Sequence, residues 1–344
     1  MTPTRPLILV TGASGFIASH IVTGLLDKGY RVRGTARGTK FVALQKTFAS
    51  RPDLQIIEVQ DIASDDLSSA MQGVHAVIHA AAPLFGRAEP SKVLSGAIEG
   101  TMNVLRHSLS AGISKIIMIS TLGTAFDPAL TYPFSGGHIE QSTCGEASEQ
   151  DALDPSREPL YVYVSAKIMA EKAAWDFARA HPELDLTTIN PAFNFGPFAK
   201  IFPPPAKTDL ATNEALYFIL QGQLPPLIPP WLVDVRDVAR ATVAALNVAP
   251  SPNNLQRKRY MLISGGASWT DIVNLLRQKR PELQGRLCST EGAPEFPGPI
   301  GTYDVSPARE DLGMAEYIPW ETSVLEAVDS MLELEKGWGP SRGF

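Results

Sequence analysis

The sequence predicts an α/β protein in which a parallel, doubly wound sheet is followed by a smaller domain of mixed structure. Short apolar runs alternate with amphipathic stretches through the first half of the chain, as in repeated β/α units. A glycine-rich turn stands between the first apolar run and the first amphipathic stretch. Near residue 190 the alternation gives way to proline-rich loops. We therefore expect a dinucleotide-binding (Rossmann) domain over residues 1–190, to which short segments at about 225–250 return, and a substrate-binding domain over residues 191–344.

The composition limits the kind of function. Of the 344 residues, 44% are hydrophobic and 19% are charged, as in soluble globular enzymes. The net charge is −6 without a long basic or acidic run, which argues against nucleic acid or a membrane as the partner. The N-terminus lacks the apolar core of a signal peptide, and no stretch reaches the ~20 apolar residues of a membrane helix.

The cysteine count bears on the compartment. The chain has two cysteines, Cys144 and Cys288, which lie far apart in the sequence. They suit a reducing compartment and predict neither a disulfide framework nor a metal site. We expect a cytoplasmic monomer or homodimer that acts on a small molecule.

The glycine-rich turn has the arrangement that binds a pyrophosphate. Residues 7–10 predict a buried strand, TGASGFIA follows, and an amphipathic run continues to Lys28. Gly12 allows the tight turn, Gly15 lets the backbone approach a phosphate at the helix N-terminus, and the small Ala18 allows close helix packing. Such a turn can also exist without a ligand, but both flanks favour dinucleotide binding. The predicted contacts in this turn are Thr11, Gly12, Ser14, Gly15, Phe16 and Ile17.

Basic residues follow the second strand, residues 31–36, where an NAD enzyme places an acid against the ribose 2′-hydroxyl. No acid occurs over residues 28–52, whereas Arg33 lies on the strand and Arg37 and Lys40 follow it. Guanidinium and ammonium groups at this point are suited to the 2′-phosphate of NADP. A solvated basic loop is the alternative, and we favour NADPH as the cofactor.

Three further strands, over residues 54–59, 74–79 and 185–189, end in residues suited to the rest of the cofactor. A carboxylate after the first can reach the adenine amino group, and small residues after the second let the nicotinamide ribose lie close to the backbone. Each is alternatively a plain strand terminus. The residues predicted to contact the cofactor here are Asp61, Ile62, Ala80, Ala81, Ala82, Asn190 and Pro191.

A tyrosine and a lysine stand four residues apart in a predicted helix. Residues 161–180 are rich in alanine, free of glycine and proline, and apolar on one face. Tyr163 and Lys167 therefore share a face of this helix. A phenol normally loses its proton near pH ~10, and a neighbouring ammonium favours the phenolate. We expect Lys167 to lower the pKa of Tyr163 and make it a general acid or base, although this spacing alone is more often a surface pair.

The fifth strand, residues 115–119, delivers hydroxyl groups to the same edge of the sheet, on Ser120, Thr121 and Thr124. Successive strand side chains point to opposite faces, so only one of the first two can face the nicotinamide. We predict that it is Thr121. After this strand, residues 126–159 lose all periodicity and predict a long loop over the site.

Together these motifs resemble an extended short-chain dehydrogenase/reductase, and more narrowly the dihydroflavonol reductase and fungal aldehyde/ketone reductase branch. The motifs are TGASGFIA, HAAAP, the Ser-Thr strand end, YVSAK and NPAFNFGP, in this order. The resemblance implies that Tyr163 protonates a carbonyl, that Lys167 lowers its pKa and holds the nicotinamide ribose, and that Thr121 bonds the substrate oxygen. It also implies a proton relay through Asn103. The branch usually reads Ser-Ser where this chain reads Ser120 and Thr121.

The expected reaction is the NADPH-dependent reduction of a ketone or aldehyde to an alcohol. Tyr163 would give the carbonyl oxygen a proton while Thr121 donates a second hydrogen bond. One alternative is an NAD-dependent nucleotide-sugar epimerase or dehydratase, which the basic residues after the second strand oppose. A second is a non-catalytic NADP-binding regulatory protein, which would not need Tyr163, Lys167 and a strand-end hydroxyl together.

The substrate side of the site carries a weaker signal. Aromatic residues in the loops suggest a hydrophobic substrate, although aromatic residues in a large domain are more often part of the core. The residues predicted to line the substrate site are Phe85, Phe126, Phe193, Phe202 and Trp231.

Overall fold

The computed structural model describes residues 5–82, 88–250 and 258–338. The strands in these ranges are β1 (Leu7–Thr11), β2 (Arg31–Ala36), β3 (Leu54–Glu58), β4 (Ala76–His79), β5 (Lys115–Ile119), β6 (His138–Ile139), β7 (Asp185–Pro191), β8 (Phe193–Phe195), β9 (Trp231–Asp234), β10 (Arg259–Leu262), β11 (Gly265–Gly266) and β12 (Thr302–Tyr303). The α-helices are α1 (Phe16–Asp27), α2 (Gly38–Thr47), α3 (Ser68–Met71), α4 (Pro90–Ser110), α5 (Glu149–Ala152), α6 (Pro159–Ala180), α7 (Glu214–Leu220), α8 (Val235–Ala245), α9 (Trp269–Lys279), α10 (Ser306–Leu312) and α11 (Trp320–Glu335). None of these helices has the length and the apolar composition that crossing a membrane requires.

Seven of the strands form one parallel sheet in the order β3-β2-β1-β4-β5-β7-β10. The strand order reverses between β1 and β4, because the chain crosses from β3 at one edge to β4 on the other side of β1. Ligands of open α/β sheets bind at such a reversal, beyond the carboxyl ends of the strands. The predicted doubly wound fold is confirmed.

Both faces of this sheet are covered, which explains why its strands are apolar on both sides. On β5, Ile117 and Ile119 belong to the core cluster that includes α1 and α8, which we call the main core. Ile116 and Met118 belong to the cluster that includes α4 and α6. Successive side chains on a strand point to opposite faces, so one strand supplies two cores.

The chain after residue 190 forms a second core but also returns to the first. Strands β8, β9 and β11 form a three-stranded sheet, and Phe195 and Leu232 on it pack with α7, α9 and α11. Strand β10 joins the large sheet beside β7, and α8 packs on α1. The division of the chain at residue 190 remains a prediction.

The segment of residues 126–159, which we call the covering loop, is held by the C-terminal part of the chain. Its strand β6 pairs in parallel with β12. Nδ1 of His138 and Oγ1 of Thr302 are hydrogen-bonded at 2.8 Å. The rings of Phe134 and Phe296 stack with their centroids 5.6 Å apart. The predicted long loop therefore contains short regular elements that are fixed by tertiary contacts.

Candidate active site

The glycine turn and the end of β4 lie against each other at the reversal of strand order. Oγ1 of Thr11 accepts hydrogen bonds from the backbone N–H groups of Ala80 and Ala81, each at 3.1 Å. Gly12 has a φ of +66°, and a Cβ at this residue would lie 2.9 Å from Cα of Ala81. Any other residue would be strained there and would press on backbone. The structure thus brings together two groups of residues that the sequence predicted separately.

A buried histidine that the sequence reasoning missed supports this contact. Nδ1 of His79 lies 2.9 Å from Oγ1 of Thr11, and its Nε2 lies 3.4 Å from Oγ1 of Thr101. Burial, with a smaller effect from the nearby Lys167 charge, lowers the pKa of His79 to about 3, so the ring is neutral. Since Oγ1 of Thr11 already accepts two bonds, its own proton is donated to His79. The sequence signal that could have revealed His79 is its place as a polar residue at the end of an apolar strand.

The start of α1 fits the pyrophosphate of a dinucleotide. Gly15 is the N-cap of α1, and a Cβ there would lie 3.2 Å from the carbonyl oxygen of Gly12. On β2, a Cβ at Gly34 would lie 2.7 Å from Cβ of Ala13, so this strand also approaches the turn closely. Ser14 and the first residues of α1 remain partly exposed. Close backbone approach and accessible N–H groups at a helix N-terminus are what phosphate binding requires.

Other predicted cofactor residues lie around this turn in different environments. The ring of Phe16 meets the ring of Phe198 edge-on, with centroids 5.3 Å apart. Ile17 packs against the main core, Pro191 is buried at the end of β7, and Ala82 is exposed after β4. Phe16 therefore links the glycine turn to the segment that follows β8.

The basic residues after β2 differ in how they are engaged. Arg33 donates to two carbonyl oxygens at the C-terminal end of α3, at 2.7 and 2.8 Å, and is therefore occupied in holding that turn. Lys40 forms an ion pair with Asp209, with its side chain 49% exposed. Arg37, at the N-cap of α2, is exposed and makes one long contact of 3.4 Å to a backbone carbonyl. Arg37 is thus the most available of the three for a 2′-phosphate.

The turn after β3 is closed by hydrogen bonds of its own. The carboxylate of Asp61 accepts two bonds from within the turn, at 3.0 and 3.1 Å. The side-chain amide of Asn103, on α4, donates to the carbonyl oxygens of Ile62 and Asp65 at 3.1 and 2.9 Å. These bonds use both amide hydrogens, so Asn103 holds the turn and is not placed for the proton relay that the resemblance implies.

The ammonium of Lys167 is buried against the end of β5. Its Nζ donates to the carbonyl oxygen of Ile119 at 3.0 Å. Burial lowers the pKa of Lys167 to about 8, and the carboxylate of Glu171 acts in the opposite direction. Lys167 is therefore cationic at neutral pH and loses its charge in mildly alkaline solution.

Tyr163 lies one helical turn before Lys167 on α6. Burial raises the pKa of Tyr163 to about 12, because a phenolate is poorly solvated away from water. The predicted lowering of this pKa by Lys167 is therefore wrong for this structure, where burial is the cause that acts on the phenol. At neutral pH Tyr163 carries its proton, which is the state that a general acid requires.

The two hydroxyl groups at the end of β5 point to different surroundings. Ser120 is 4% exposed, and its Oγ donates a hydrogen bond to a carboxylate oxygen of Glu171. Thr121 is partly exposed, and its Oγ1 accepts from the backbone N–H of Gly123 at 3.2 Å. The hydroxyl proton of Thr121 remains available to a ligand, since this contact uses only a lone pair.

Glu171 is a site residue that the sequence reasoning missed. One of its oxygens accepts from Ser120, from Oγ1 of Thr124 at 2.8 Å and from the amide of Asn190 at 2.7 Å. The other accepts from Nε of Arg259 at 2.5 Å. Asn190 is fully buried, so its side chain does not make the predicted cofactor contact. The available signal was an acid about two helical turns beyond Tyr163, on the same face of an apolar helix.

The aromatic residues predicted to line the substrate site do not gather at one place. Phe126 and Trp231 pack together in the main core, with ring centroids 5.7 Å apart. Phe193 packs against the second core, and the ring of Phe202 meets the ring of Phe48 at the end of α2. Phe85 lies outside the described residues. The prediction of a common aromatic lining is wrong for the four described rings, because burying large apolar rings in cores is itself strongly stabilising.

A cavity of about 620 Å³ lies beside the N-terminal end of α6. It is lined by residues 128–131 of the covering loop, by Arg157 and Tyr161, and by Leu227 and Pro297 from the C-terminal part of the chain. The guanidinium of Arg157 lies 4.3 Å above the ring of Tyr161. A second cavity, of about 550 Å³, shares Leu227 with the first. The described lining of the two cavities does not include the catalytic candidates themselves.

Comparison with known proteins identifies the family. The model of the NAD dependent epimerase/dehydratase family matches residues 8–256, which is more than half of the chain. The chain belongs to this family. The NAD dependence in the name of this family agrees with the glycine turn and the reversal of strand order described above.

Similar proteins place the chain among the reductases of this family. The ketoreductase azaE of Aspergillus niger is 32% identical, over 95% of this chain and 97% of its own. The cinnamoyl-CoA reductase CAD2 of Medicago truncatula is 30% identical, over 95% and 96%. The structure of Gre2 from Candida albicans in complex with NADPH has a TM-score of 0.80 and 30% identity, covering 96% of this chain and 99% of that one. The predicted resemblance to the reductase branch is confirmed.

Proposed function

We propose that this protein reduces a ketone or aldehyde to an alcohol, with NADPH as the hydride donor. The observation that carries the proposal is the packing of α6, with Tyr163 and Lys167 on one face, against the strand end that presents Thr121. The names of the similar proteins support it, since they include a ketoreductase and a reductase complexed with NADPH.

The chain's own residues supply the acid and the hydrogen bonds of this reduction. Bound NADPH supplies the hydride. Tyr163, protonated at neutral pH, gives its proton to the carbonyl oxygen on which negative charge develops. The hydroxyl of Thr121 donates a second hydrogen bond to that oxygen. Lys167, fixed on the carbonyl oxygen of Ile119, keeps a positive charge near the phenolate that is left.

Selectivity for NADPH follows from the residues after β2. Arg37 is exposed at the start of α2, and Lys40 lies one turn further along the helix. A guanidinium binds phosphate through two parallel hydrogen bonds, and an ammonium adds a point charge. The absence of an acid over residues 28–52 removes the group that would recognise the 2′-hydroxyl of NAD.

The name of the family model favours a second candidate, a nucleotide-sugar epimerase or dehydratase. That chemistry returns the hydride to the same bound substrate and is associated with retained NAD. The basic residues after β2 and the reductase names of the similar proteins count against it.

We further propose that the cavity beside α6 takes the hydrophobic part of the carbonyl substrate. Pro128, Leu130, Leu160, Leu227 and Pro297 give it an apolar side, and Arg157 and Glu158 line it as well. This apolar side suits the hydrophobic part of a carbonyl compound. Action in a reducing compartment such as the cytoplasm remains our prediction, and so does a monomeric or homodimeric state.

A panel of aldehydes, ketones and nucleotide sugars tests the function. Each compound is incubated with NADPH or NADH, and the absorbance of the reduced nicotinamide is followed. We expect oxidation of NADPH with hydrophobic carbonyl compounds and none with nucleotide sugars. The matched control is Tyr163→Phe, which lacks only the phenol oxygen. Turnover of a nucleotide sugar without net NADPH consumption would favour the epimerase instead.

A further inference from the structure

Strand β10 begins with a buried arginine, and each of its three guanidinium nitrogens donates a hydrogen bond near the candidate site. Arg259 is 2% exposed, and its Nε donates to Glu171 at 2.5 Å. Its Nη1 donates to the carbonyl oxygens of Gln141 and Thr143 at 3.1 and 2.6 Å, and its Nη2 donates to Oγ1 of Thr124 at 2.9 Å. One guanidinium therefore joins α6, the covering loop and the segment that follows β5.

The carboxylate of Glu171 also contacts the carboxyl ends of β5 and β7. It accepts from Ser120 and from Asn190, and the same amide of Asn190 lies 3.2 Å from the carbonyl oxygen of Thr121. A buried charge that is removed from water needs partners of good geometry on each side. Here both members of the ion pair have them, so a shift of either element would break several bonds together.

Two residues one turn apart on α6 hold two consecutive residues of the strand end. Lys167 binds the carbonyl oxygen of Ile119, and Glu171 binds the hydroxyl of Ser120. The next residue in the chain is Thr121. The register of α6 against β5 is thus fixed directly beside the hydroxyl that, in the proposed function, meets the substrate.

We propose that Glu171, fixed by Arg259, is a positioning residue for the reduction, because it sets the end of β5 against α6 so that Thr121 and Tyr163 address the same substrate oxygen. The proposal rests on the proposed function. Glu171 acts through its neighbours, since it is buried and its oxygens are occupied. A displacement of about 1 Å in a reacting group can cost about 100-fold in rate, so such a support has a measurable effect.

A second buried ion pair provides a matched control. Lys258, the residue before Arg259, is 2% exposed and pairs with Asp185, which also binds Lys115 at 2.6 Å. Asp185 begins β7 and therefore lies at the opposite edge of the sheet from the ligand side. Both ion pairs are buried, and their cationic members, Lys258 and Arg259, are adjacent in the chain. Only the pair of Glu171 and Arg259 contacts the candidate site.

The test compares Glu171→Gln with Asp185→Asn, each of which removes a charge and keeps the shape. We expect Glu171→Gln to lower kcat by about 10-fold to 100-fold. The N–H groups of the new amide would face groups that themselves donate hydrogen bonds to Glu171 in the wild-type protein. We expect Asp185→Asn to lower the melting temperature while kcat stays within about twofold of wild type. Glu171→Gln with normal kcat would overturn the proposal.

The pH dependence gives a readout that a purely structural role would not move. Among the described residues, the charged or titratable groups beside Lys167 are Glu171 on α6 and the neutral His79 on β4, with Arg259 behind Glu171. Tyr163 lies one turn before Lys167 on α6. Removing the negative charge destabilises the ammonium, so the alkaline fall of activity should move to lower pH in Glu171→Gln. In Asp185→Asn it should stay in place. An unmoved alkaline fall in Glu171→Gln would count against the proposal.

Two further measurements separate this proposal from the proposed function. If the wild-type protein reduced no carbonyl compound, the proposed function would fail. The pH dependence of NADPH binding, followed by fluorescence, would still have a midpoint, which is the pH at which binding is half-lost. We expect this midpoint to fall in Glu171→Gln, and an unchanged midpoint would overturn the proposal. If Glu171→Gln did not fold, the double variant Glu171→Met with Arg259→Met removes both charges and keeps an apolar core. Wild-type kcat or an unmoved binding midpoint in that variant would overturn the proposal equally.

Discussion

The cofactor side and the substrate side of the candidate cleft are assembled in different ways. On the cofactor side, the residues come directly after β1, β2, β3 and β4, and adjacent parallel strands bring their carboxyl ends to one edge. On the substrate side, the cavity is lined by the covering loop together with Leu227 and Pro297, which lie much later in the chain. The first arrangement follows from strand order, whereas the second needs contacts between distant segments.

This difference explains what each side reveals about function. Thr11, Gly12 and Ala81 contact one another at strand ends, so short motifs are sufficient to predict a dinucleotide site. The aromatic residues chosen for the substrate side pack into separate cores instead.

The largest effect is expected at the centre, where the two sides meet. Tyr163→Phe should lower kcat by about 10²-fold to 10⁴-fold, because it removes the general acid alone. The dissociation constant of NADPH should stay nearly unchanged. Lys167→Ala, the companion variant, should impair both quantities because its ammonium serves the cofactor and the phenol. Near-normal turnover of Tyr163→Phe on a confirmed substrate would contradict the mechanism.

A smaller loss is expected from the strand-end hydroxyl. Thr121→Val should lower kcat by about 10²-fold to 10³-fold, because one hydrogen bond to the developing charge is lost. Thr121→Ser should keep most activity. Ser120→Ala is the companion variant, and it should lower kcat less than Thr121→Val does, because Ser120 contacts Glu171 and not the substrate. A slow Ser120→Ala beside an active Thr121→Val would reverse the assignment.

The cofactor side alone is tested by Arg37→Ala. We expect a loss of about 1.5 to 3 kcal/mol in NADPH binding, the value of a hydrogen bond to a charged group, with little change for NADH. Lys40→Ala should have a smaller effect, because Asp209 already pairs with this ammonium. Titration of both cofactors into each variant gives the comparison. Equal weakening of NADPH and NADH by Arg37→Ala would exclude a 2′-phosphate contact.

The pH profile tests which group at the centre titrates. Lys167 has a pKa lowered to about 8 by burial, so its charge is lost as the pH rises through that value. We expect kcat/KM to fall about tenfold per pH unit above pH 8 with a one-proton slope. Tyr163, with a pKa raised to about 12, would place the fall far higher. A profile flat to pH 10 would show that Lys167 need not be charged.

The smallest effect is expected on the substrate side. Leu227→Trp fills part of the cavity and should raise KM for bulky carbonyl compounds by about tenfold, the usual effect of a misfitting apolar group. NADPH affinity should not change. Leu153→Trp, at a position 38% exposed on the covering loop, is the control and should leave KM unchanged. A normal KM for bulky substrates in Leu227→Trp would place the substrate elsewhere.

Much of the fold could be predicted because its strands and helices carry strong local periodicity. The second and fifth strands match the observed β2 and β5 residue for residue, and the helix predicted over residues 161–180 is α6 with two further residues at its start. The short strands β8, β9 and β11 were missed. A strand of two to four residues leaves too little alternation to detect, and its partners lie far along the chain.

The sequence by itself determined the doubly wound sheet, the glycine turn, the basic residues after β2 and the shared face of Tyr163 and Lys167. Each of these depends on residues within one β/α unit or on helical spacing, so local chemistry is sufficient. The tertiary structure decided the direction of the Tyr163 pKa, because desolvation depends on everything that surrounds the phenol. It also decided that Glu171 meets Arg259, since the contact joins two elements that the chain order separates by 88 residues.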